Sequence, residues 1–196
     1  MSTEELTYRQ KAAATKRARS RQKILEAARP LLDEHGWYHT TREQVAQAAG
    51  LGNATVFSHF ATKRDMVVAA YEPELQPLID STEEAVTLGR DAEEALATFV
   101  RSFVTLMTER RTLCRALLPI GRMENPADEF HPQLLKLIDL LAQLMNKHPK
   151  DIERFGVTIE QHAKLTLAGM LGNLFPPHFT GDPVEFADRQ LRYMIL

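Results

Sequence analysis

Cysteine is scarce in this sequence, and long apolar runs and glycine-rich phosphate loops are missing from it. The one cysteine, Cys114, excludes an internal disulfide framework and fits a reducing cytoplasm. No apolar run approaches the roughly 18 residues that a membrane-spanning helix needs, which excludes an integral membrane protein. The N-terminus is polar and charged, so we expect no secretory signal and a cytoplasmic location.

Residues with catalytic or metal-binding chemistry form no local signature either. His35 and His39 are four residues apart, but Gly36 breaks the helix that would bring both side chains to one metal. Cys114 lies in an apolar helical setting and has the character of a small core residue. We therefore predict no metal, no cofactor and no enzymatic activity. An enzyme stays an alternative, because a triad of residues distant in sequence leaves no local pattern.

What the sequence does have is an asymmetric charge distribution within a globular composition. Hydrophobic residues make up 44% and charged residues 26%, which is typical of a folded domain. Residues 1–66 carry 11 Lys and Arg against 7 Asp and Glu, whereas residues 67–196 carry 13 against 19. Between residues 7 and 30, Glu26 is outnumbered by the cations Arg9, Lys11, Lys16, Arg17, Arg19, Arg21, Lys23 and Arg29. Such a basic segment is expected of a module that binds phosphate.

Helical periodicity dominates the chain and no run alternates as a strand would, so we predict an all-α fold. Residues 1 to about 15 are interpreted as a mobile basic arm. The first helix is predicted from about Ala18 to His35. We expect a kink at Pro30, which removes one backbone hydrogen bond, and a left-handed cap at Gly36.

Two short helical patterns then follow on either side of Gly50. Thr41 is the expected N-cap of the first, and Gln44 completes a capping box with it. This helix is predicted to bury Val45, Ala46 and Ala49. The second pattern starts near Asn53 and is predicted to bury Val56 and Phe60. The pair indicates a helix-turn-helix, in which the second helix enters the major groove of DNA.

Prolines at positions 73 and 77 interrupt the helical pattern after a further helix that is predicted from about Thr62 to Tyr71. We place a domain boundary there. The predicted parts are a basic arm at 1–20, a helix-turn-helix domain at 21–72 and an all-helical domain at 73–196. In the last part, helices are predicted at 91–109, 112–118, 126–147, 158–174 and from 182 to the end.

The segment from about Arg21 to Ala70 resembles the tetracycline-repressor-like (TetR) family of bacterial transcription regulators. The resemblance rests on residues 24–28, 36–37, 40–41, 45–50 and 55–60, followed by Lys63. It implies an N-terminal three-helix helix-turn-helix domain followed by a helical bundle for ligand binding and dimerisation. It also implies a homodimer that binds a palindromic operator and responds to a small molecule in its C-terminal domain.

The resemblance and the residue types together predict a set of DNA contacts. For phosphates we nominate Arg17, Arg19, Arg21, Thr41, His59 and Lys63, of which the last two match the family's positions. For bases the helix after Gly50 offers Asn53, Ala54, Thr55 and Ser58, supplemented by Arg42 or the arm. Without Arg or Lys this helix lacks the bidentate contact to guanine, so we expect A/T-rich contacted positions. Helix-start capping is the alternative role for Asn53, Thr55 and Ser58.

Two positions depart from the family's pattern. Phe57 stands where the family usually has tyrosine, so a hydroxyl that would contact phosphate is missing. Gly52 stands where the family usually has serine, at the cap of the recognition helix, which we expect to cost only a few tenths of a kcal/mol. Both departures are expected to weaken DNA binding without removing the fold.

The C-terminal half has more apolar residues than single helix faces can bury, so some must line a cavity or a subunit interface. The predicted pocket residues are Phe99, Phe103, Met107, Met123, Leu141 and Met145, with His131 and His162 as polar groups. The predicted dimer residues are Gly169, Gly172, Phe186 and Leu191. Ordinary packing within the chain is the alternative for both sets.

The sequence thus predicts a ligand-responsive transcriptional regulator, acting as a repressor. Its predicted partners are duplex DNA, a mainly apolar small-molecule effector and a second copy of the chain, with no membrane. The alternative is a helix-turn-helix protein whose C-terminal half serves only dimerisation or protein partners, without sensing a metabolite. A fully packed C-terminal core would favour that alternative, and a void of several hundred Å³ would favour sensing.

Overall fold

A computed structural model describes residues 3–117, 131–146, 156–174 and 179–195. These residues form ten α-helices and no strand, which confirms the all-α prediction. The chain divides into two compact units, Met1–Tyr71 and Glu72–Leu196. We call them the N-terminal unit and the C-terminal unit. In the ranges described, no helix combines the length and apolarity that crossing a membrane requires.

Helix α1 spans Thr3–His39, so the arm predicted for residues 1–20 is corrected: from residue 3 onward the chain is helical. The reason is composition, because residues 3–29 contain neither glycine nor proline and include three consecutive alanines. Pro30, where a kink was predicted, lies inside this helix. Helical geometry continues through Pro30 and is broken at Gly36, whose φ of 69° and ψ of −169° lie outside the helical region.

Three short helices complete the N-terminal unit: α2 at Arg42–Ala48, α3 at Asn53–His59 and α4 at Lys63–Ala70. The predicted capping box of α2 is confirmed. The Gln44 amide donates to Thr41 Oγ1 over 3.2 Å, and the Thr41 amide donates to Gln44 Oε1 over 2.7 Å. Thr62 and Asp65 form a second capping box at the start of α4. Gly50, with φ of 64°, makes the turn between α2 and α3.

The core of the N-terminal unit forms where α1 packs against α2, α3 and α4. Val45, Ala46, Val56 and Phe60 are buried as predicted, whereas Ala49 is only half-buried. The other buried side chains include Ile24, Ala28, Leu32, Met66, Val67 and Val68. This core holds α3 by one face and leaves its other face exposed.

The described helices of the C-terminal unit are α5 at Glu72–Thr87, α6 at Ala92–Glu109, α7 at Arg111–Leu117, α8 at Pro132–Asn146, α9 at Ile159–Leu174 and α10 at Pro183–Ile195. Helix α5 was not expected, because Pro73 and Pro77 were interpreted as breaks. Pro73 lies in the first turn, where an amide has no helical partner, and Pro77 costs one hydrogen bond. Burial of Leu75, Leu78 and Ile79 offsets that loss.

Helix α6 is central to the C-terminal unit and contacts α5, α7, α8, α9 and α10. Asp91 caps it by accepting a hydrogen bond from the Glu94 amide at 2.9 Å. Its buried face carries Leu96, Phe99, Val100, Phe103, Val104 and Met107. At the start of α10, Asp182 accepts hydrogen bonds from the amides of Val184 and Glu185. Both predicted helix starts are therefore confirmed.

Candidate nucleic-acid interface

Helix α3 presents a polar, small-residue face to solvent. Asn53, Ala54 and Ser58 are exposed and Thr55 is half-buried, while Val56 is fully buried on the opposite side. Gly52 occupies the N-cap position without any side-chain hydrogen bond, so Asn53 is the first helical residue and not the cap. The capping alternative therefore fails for Asn53. Ser58 Oγ donates to the Thr55 carbonyl at 2.8 Å, which leaves its oxygen as an acceptor.

Helix α1 contacts the C-terminal end of α3 through one of its faces. Arg17 Nη2 donates to the Ser58 carbonyl over 3.1 Å, and Ser20 Oγ lies 2.7 Å from His59 Nε2. The Arg21 guanidinium lies over the Phe60 ring, 5.1 Å from its centroid. Residues 17, 20 and 21 share a face because they follow the helical repeat. Of the cations nominated for DNA, Arg17 and Arg21 are thus engaged with α3.

The other faces of α1 carry exposed cations. Lys11, Lys16 and Arg19 lie with Tyr8, Ala12 and Thr15 along one exposed stripe of this helix. By the helical repeat, Arg19 lies on the side of α1 away from Arg17. Arg9 and Lys23 are also exposed. The part of α1 between residues 9 and 23 therefore carries positive potential, which is suited to phosphate.

His59, the last residue of α3, lies against α1. Burial, followed by the nearby charges of Arg17 and Arg21, lowers its pKa below the ordinary value of 6.5. The imidazole therefore brings no positive charge to a phosphate near neutral pH. It can still offer one ring nitrogen as a hydrogen-bond donor or acceptor.

Lys63, the first residue of α4, is hydrogen-bonded to the backbone near the end of α1. Its Nζ donates to the Trp37 carbonyl and lies 4.9 Å from the centroid of the Trp37 ring. Burial lowers the pKa of Lys63. An ammonium group has three N–H donors, so Lys63 can hold the Trp37 carbonyl and still contact a phosphate.

Arg42, nominated as a possible base contact, is occupied inside the N-terminal unit. Its Nη1 donates to the carbonyl oxygens of Phe60 and Ala61, at 3.3 Å and 2.7 Å. The guanidinium lies 3.8 Å from the centroid of the Phe57 ring, and Phe57 itself is 42% exposed. No sequence pattern signals this contact, because Phe57, Phe60 and Ala61 lie 15 to 19 residues from Arg42 along the chain.

The residues predicted to form a pocket lie in the core of the C-terminal unit. Phe99, Phe103, Met107, Leu141 and Met145 are all buried in α6 and α8. The rings of the first two are stacked with centroids 5.9 Å apart. His131 Nδ1 accepts from the Gln133 amide at the start of α8, over 3.2 Å, and His162 is half-buried on α9. Met123 lies outside the described residues.

The residues predicted for a dimer interface differ in exposure. Gly169 and Gly172 are exposed on α9, close to Leu165, which is 64% exposed. Phe186 is buried, and its ring lies 5.5 Å from that of Phe179. The interface prediction is therefore corrected for Phe186, whose side chain packs within its own unit and offers no surface. Leu191 is half-buried.

The N-terminal unit is a helix-turn-helix DNA-binding domain: two short helices about one glycine turn, with a buried and an exposed face on the second. Residues 24–70 match the family model described as "Bacterial regulatory proteins, tetR family". The match covers 47 of the 196 residues and lies within this domain. The fatty acid metabolism regulator protein of Bacillus subtilis is 25% identical over 84 residues, 43% of each chain. The transcriptional repressor AcnR of Corynebacterium glutamicum is 38% identical over 58 residues, 30% of this chain and 31% of that one.

Solved structures extend the similarity to most of the chain. Thermus thermophilus FadR, described as a transcriptional repressor in complex with lauroyl-CoA, has a TM-score of 0.67 and 19% identity, covering 89% of this chain and 92% of that one. Bacillus subtilis FadR in complex with stearoyl-CoA has a TM-score of 0.61 and 17% identity, covering 89% and 97%. At these identities the likeness shows a shared fold. The matched family and both curated relatives are regulators, in agreement with the predicted regulator and against the enzyme alternative.

Proposed function

We propose that this protein is a cytoplasmic transcriptional repressor that binds a palindromic operator as a homodimer and leaves it when a small, mainly apolar effector binds. The observation that carries the proposal is the disposition of α3. Val56 and Phe60 fix it to the core, while Asn53, Ala54 and Ser58 remain exposed. Small polar and methyl-bearing side chains on such a face allow close approach to base edges.

The DNA contacts divide between α1, the helix-turn-helix motif and the start of α4. Lys63, Thr41 and the exposed Arg19 are proposed to contact phosphates and to set the register of the protein on the duplex. Asn53 is proposed to pair with adenine, and Ala54 and the Thr55 methyl to contact thymine methyls. A recognition helix without Arg or Lys thus favours A/T pairs at the contacted positions.

Dimerisation supplies the second recognition helix that a palindrome requires. The exposed stripe on α9 formed by Leu165, Gly169 and Gly172 supports a helix-to-helix contact, because small residues let two helices approach closely. Two α3 helices would then lie about 34–36 Å apart, or a multiple of that spacing. Equilibrium sedimentation should give twice the mass of the chain, and Leu165→Glu should shift it toward the monomer.

The effector proposal rests on the two similar structures that hold acyl-CoA ligands. A long-chain acyl-CoA is proposed as one class of effector for this chain. Its acyl chain would require an apolar space in the C-terminal unit, where aromatic and aliphatic side chains are concentrated on α6 and α8.

A second candidate function is a helix-turn-helix protein without metabolite sensing. The observation that favours it is the complete burial of Phe103, Met107 and Leu141. These side chains have the burial of ordinary core residues. In that case the C-terminal unit would serve dimerisation or a protein partner.

Selection of bound duplexes from a randomised DNA library tests the main proposal. We expect one A/T-rich palindrome, with binding weakened in Asn53→Ala and Lys63→Ala. Addition of lauroyl-CoA should release the selected operator, while coenzyme A alone serves as the control. Selection of no sequence would refute the operator proposal. Selection of a palindrome that lauroyl-CoA does not release would favour the second candidate.

A further inference from the structure

The contact between α2 and the end of the recognition helix gives Arg42 a task other than binding DNA. Arg42 is the first residue of α2, next to the N-cap Thr41. Its Nη1 donates to the carbonyls of Ala61 at 2.7 Å and Phe60 at 3.3 Å. Its guanidinium covers one face of the Phe57 ring at 3.8 Å from the centroid. Arg42 thus contacts Phe57 near the end of α3 and the two residues that follow the helix, Phe60 and Ala61.

These contacts lie at the C-terminal end of α3, where the hydrogen bonds of the helix itself leave carbonyl groups without a partner. Helix α3 is seven residues long, and isolated helices below about 12–15 residues are marginal in water. The last carbonyls of a helix have no partner within it, and the helix dipole favours a cation beside them. Phe60 is the C-cap of α3, and Ala61 precedes the N-cap of α4. Arg42 therefore fastens the junction between these two helices.

We propose that Arg42 is a positioning residue of the recognition helix, which sets the orientation of the exposed face of α3 and makes no phosphate or base contact itself. The role is specific to arginine, because a planar guanidinium can stack on a ring while it donates hydrogen bonds in its own plane. A lysine at this position would keep the charge but lose that geometry. The inference rests on the proposed DNA-binding function and adds to it the support of the reading face.

The salt dependence of operator binding separates a positioning role from a phosphate contact. Each phosphate contact contributes about 0.9 to the slope of log Kobs against log salt concentration. We compare Arg42→Gln and Arg42→Lys with Arg19→Gln, which removes an exposed cation of α1. Arg19→Gln should reduce the magnitude of this negative slope by about 0.9 per subunit. Both Arg42 variants should leave the slope unchanged and reduce the preference for operator over a mismatched duplex about 5- to 30-fold.

The opposite result is equally clear. A slope reduced in Arg42→Gln but kept in Arg42→Lys, with an unchanged preference in both, would overturn the proposal. It would show that Arg42 acts through its charge on a phosphate. A preference that falls in Arg42→Gln and is rescued in Arg42→Lys would also overturn the requirement for a planar group.

Hydrogen exchange of the free protein tests the same role without DNA. Amides between residues 56 and 63 should exchange faster in both Arg42 variants and in Phe57→Leu, while those of α6 stay unchanged. The double variant Arg42→Gln with Phe57→Leu should add little to either single change, because the two side chains share one contact. Unchanged exchange would overturn the proposal. If the unsubstituted protein selects no operator, the proposed function fails, and exchange still decides the role of Arg42.

Discussion

The two units of the chain are stabilised in different ways. In the N-terminal unit, hydrogen bonds from side chains to backbone carbonyls join segments that are distant in sequence, as in Arg17 to Ser58, Arg29 to Ala70, Thr40 to Leu31, Arg42 to Ala61 and Lys63 to Trp37. In the C-terminal unit, α6 is surrounded by apolar side chains of five other helices, and the polar contacts between helices include ion pairs of side chains at the surface, such as Arg101 with Asp188 and Arg110 with Glu74. Hydrogen bonds have preferred directions and specify one arrangement, whereas apolar cores tolerate volume-conserving exchange.

This difference bears on function. A helix that contacts bases must keep its position to within about 0.5 Å and its orientation to within about 10–20°. Directional hydrogen bonds hold it in that position and orientation. A unit that accommodates different effectors, or none, can change its sequence as long as its core volume is kept. The family model matches residues within the N-terminal unit.

The largest expected effect is a loss of stability in the C-terminal unit that leaves the N-terminal unit intact. Phe103 is fully buried and stacked on Phe99, so Phe103→Ala should lower the free energy of unfolding of the C-terminal unit by about 3–5 kcal/mol. Circular dichroism follows the helices of both units. Fluorescence of Trp37, the one tryptophan, follows the N-terminal unit. The denaturant midpoint should fall by circular dichroism and stay in place by fluorescence.

A control for this prediction is Met107→Leu, a change of similar volume in the same helix, which should cost less than about 1.5 kcal/mol. If the fluorescence midpoint shifts with the dichroism midpoint in Phe103→Ala, the two units unfold as one. The contrast between them would then hold for their contacts but not for their stability.

The next largest effect is expected in the N-terminal unit, at its last residue, Tyr71. Tyr71 is 1% exposed, and its hydroxyl donates to Asp33 Oδ1 over 2.6 Å. The Arg29 guanidinium lies over the same ring at 4.5 Å and within 3.4 Å of the Asp33 carboxylate. Tyr71→Phe removes a hydrogen bond to a charged group, so the N-terminal unit should lose about 2 kcal/mol by Trp37 fluorescence. Tyr8→Phe, which alters an exposed ring, should change nothing measurable; equal losses would contradict the prediction.

The sequence predicted the periodic and capped parts of the fold, because local signals determine them. The capping box at Thr41, the turn at Gly50 and the buried positions of α3 follow from spacing and residue type alone. The long α1 and the helix α5 were missed for one reason: charge and proline were given more weight than helix propensity and burial. The exposed face of α3 was predicted. The engagement of Arg17 and Arg42 was not, because a contact between different helices leaves no trace in spacing.

A smaller effect sharpens the comparison at one helix start. Thr41 accepts a hydrogen bond from the Gln44 amide, and Thr41→Ala leaves that amide without its cap. The N-terminal unit should lose about 1 kcal/mol by Trp37 fluorescence. Thr98→Ala, an exposed change inside α6, should be neutral or slightly stabilising by circular dichroism, because alanine is the better helix former. A loss at both positions would show that threonine itself, and not its capping position, matters.

The smallest effect concerns the protonation of His59. Burial, then the charges of Arg17 and Arg21, lowers its pKa in the folded protein, while in the unfolded chain it titrates near 6.5. Between these two values the unfolded state binds more protons, so stability rises with pH. The contribution of His59 is therefore full above about pH 6.5 and is lost as the pH falls through the folded pKa.

His59→Gln removes this titration and keeps a side chain that can reach Ser20. The unfolding midpoint by Trp37 fluorescence should fall less between about pH 7.5 and about pH 5.5 in the variant than in the unsubstituted protein. Other histidines titrate equally in both proteins, so the difference isolates His59. The dichroism change of the C-terminal unit should respond to pH in the same way in both. An identical pH response of the fluorescence midpoint would mean that the contact between α1 and α3 does not depend on a neutral imidazole.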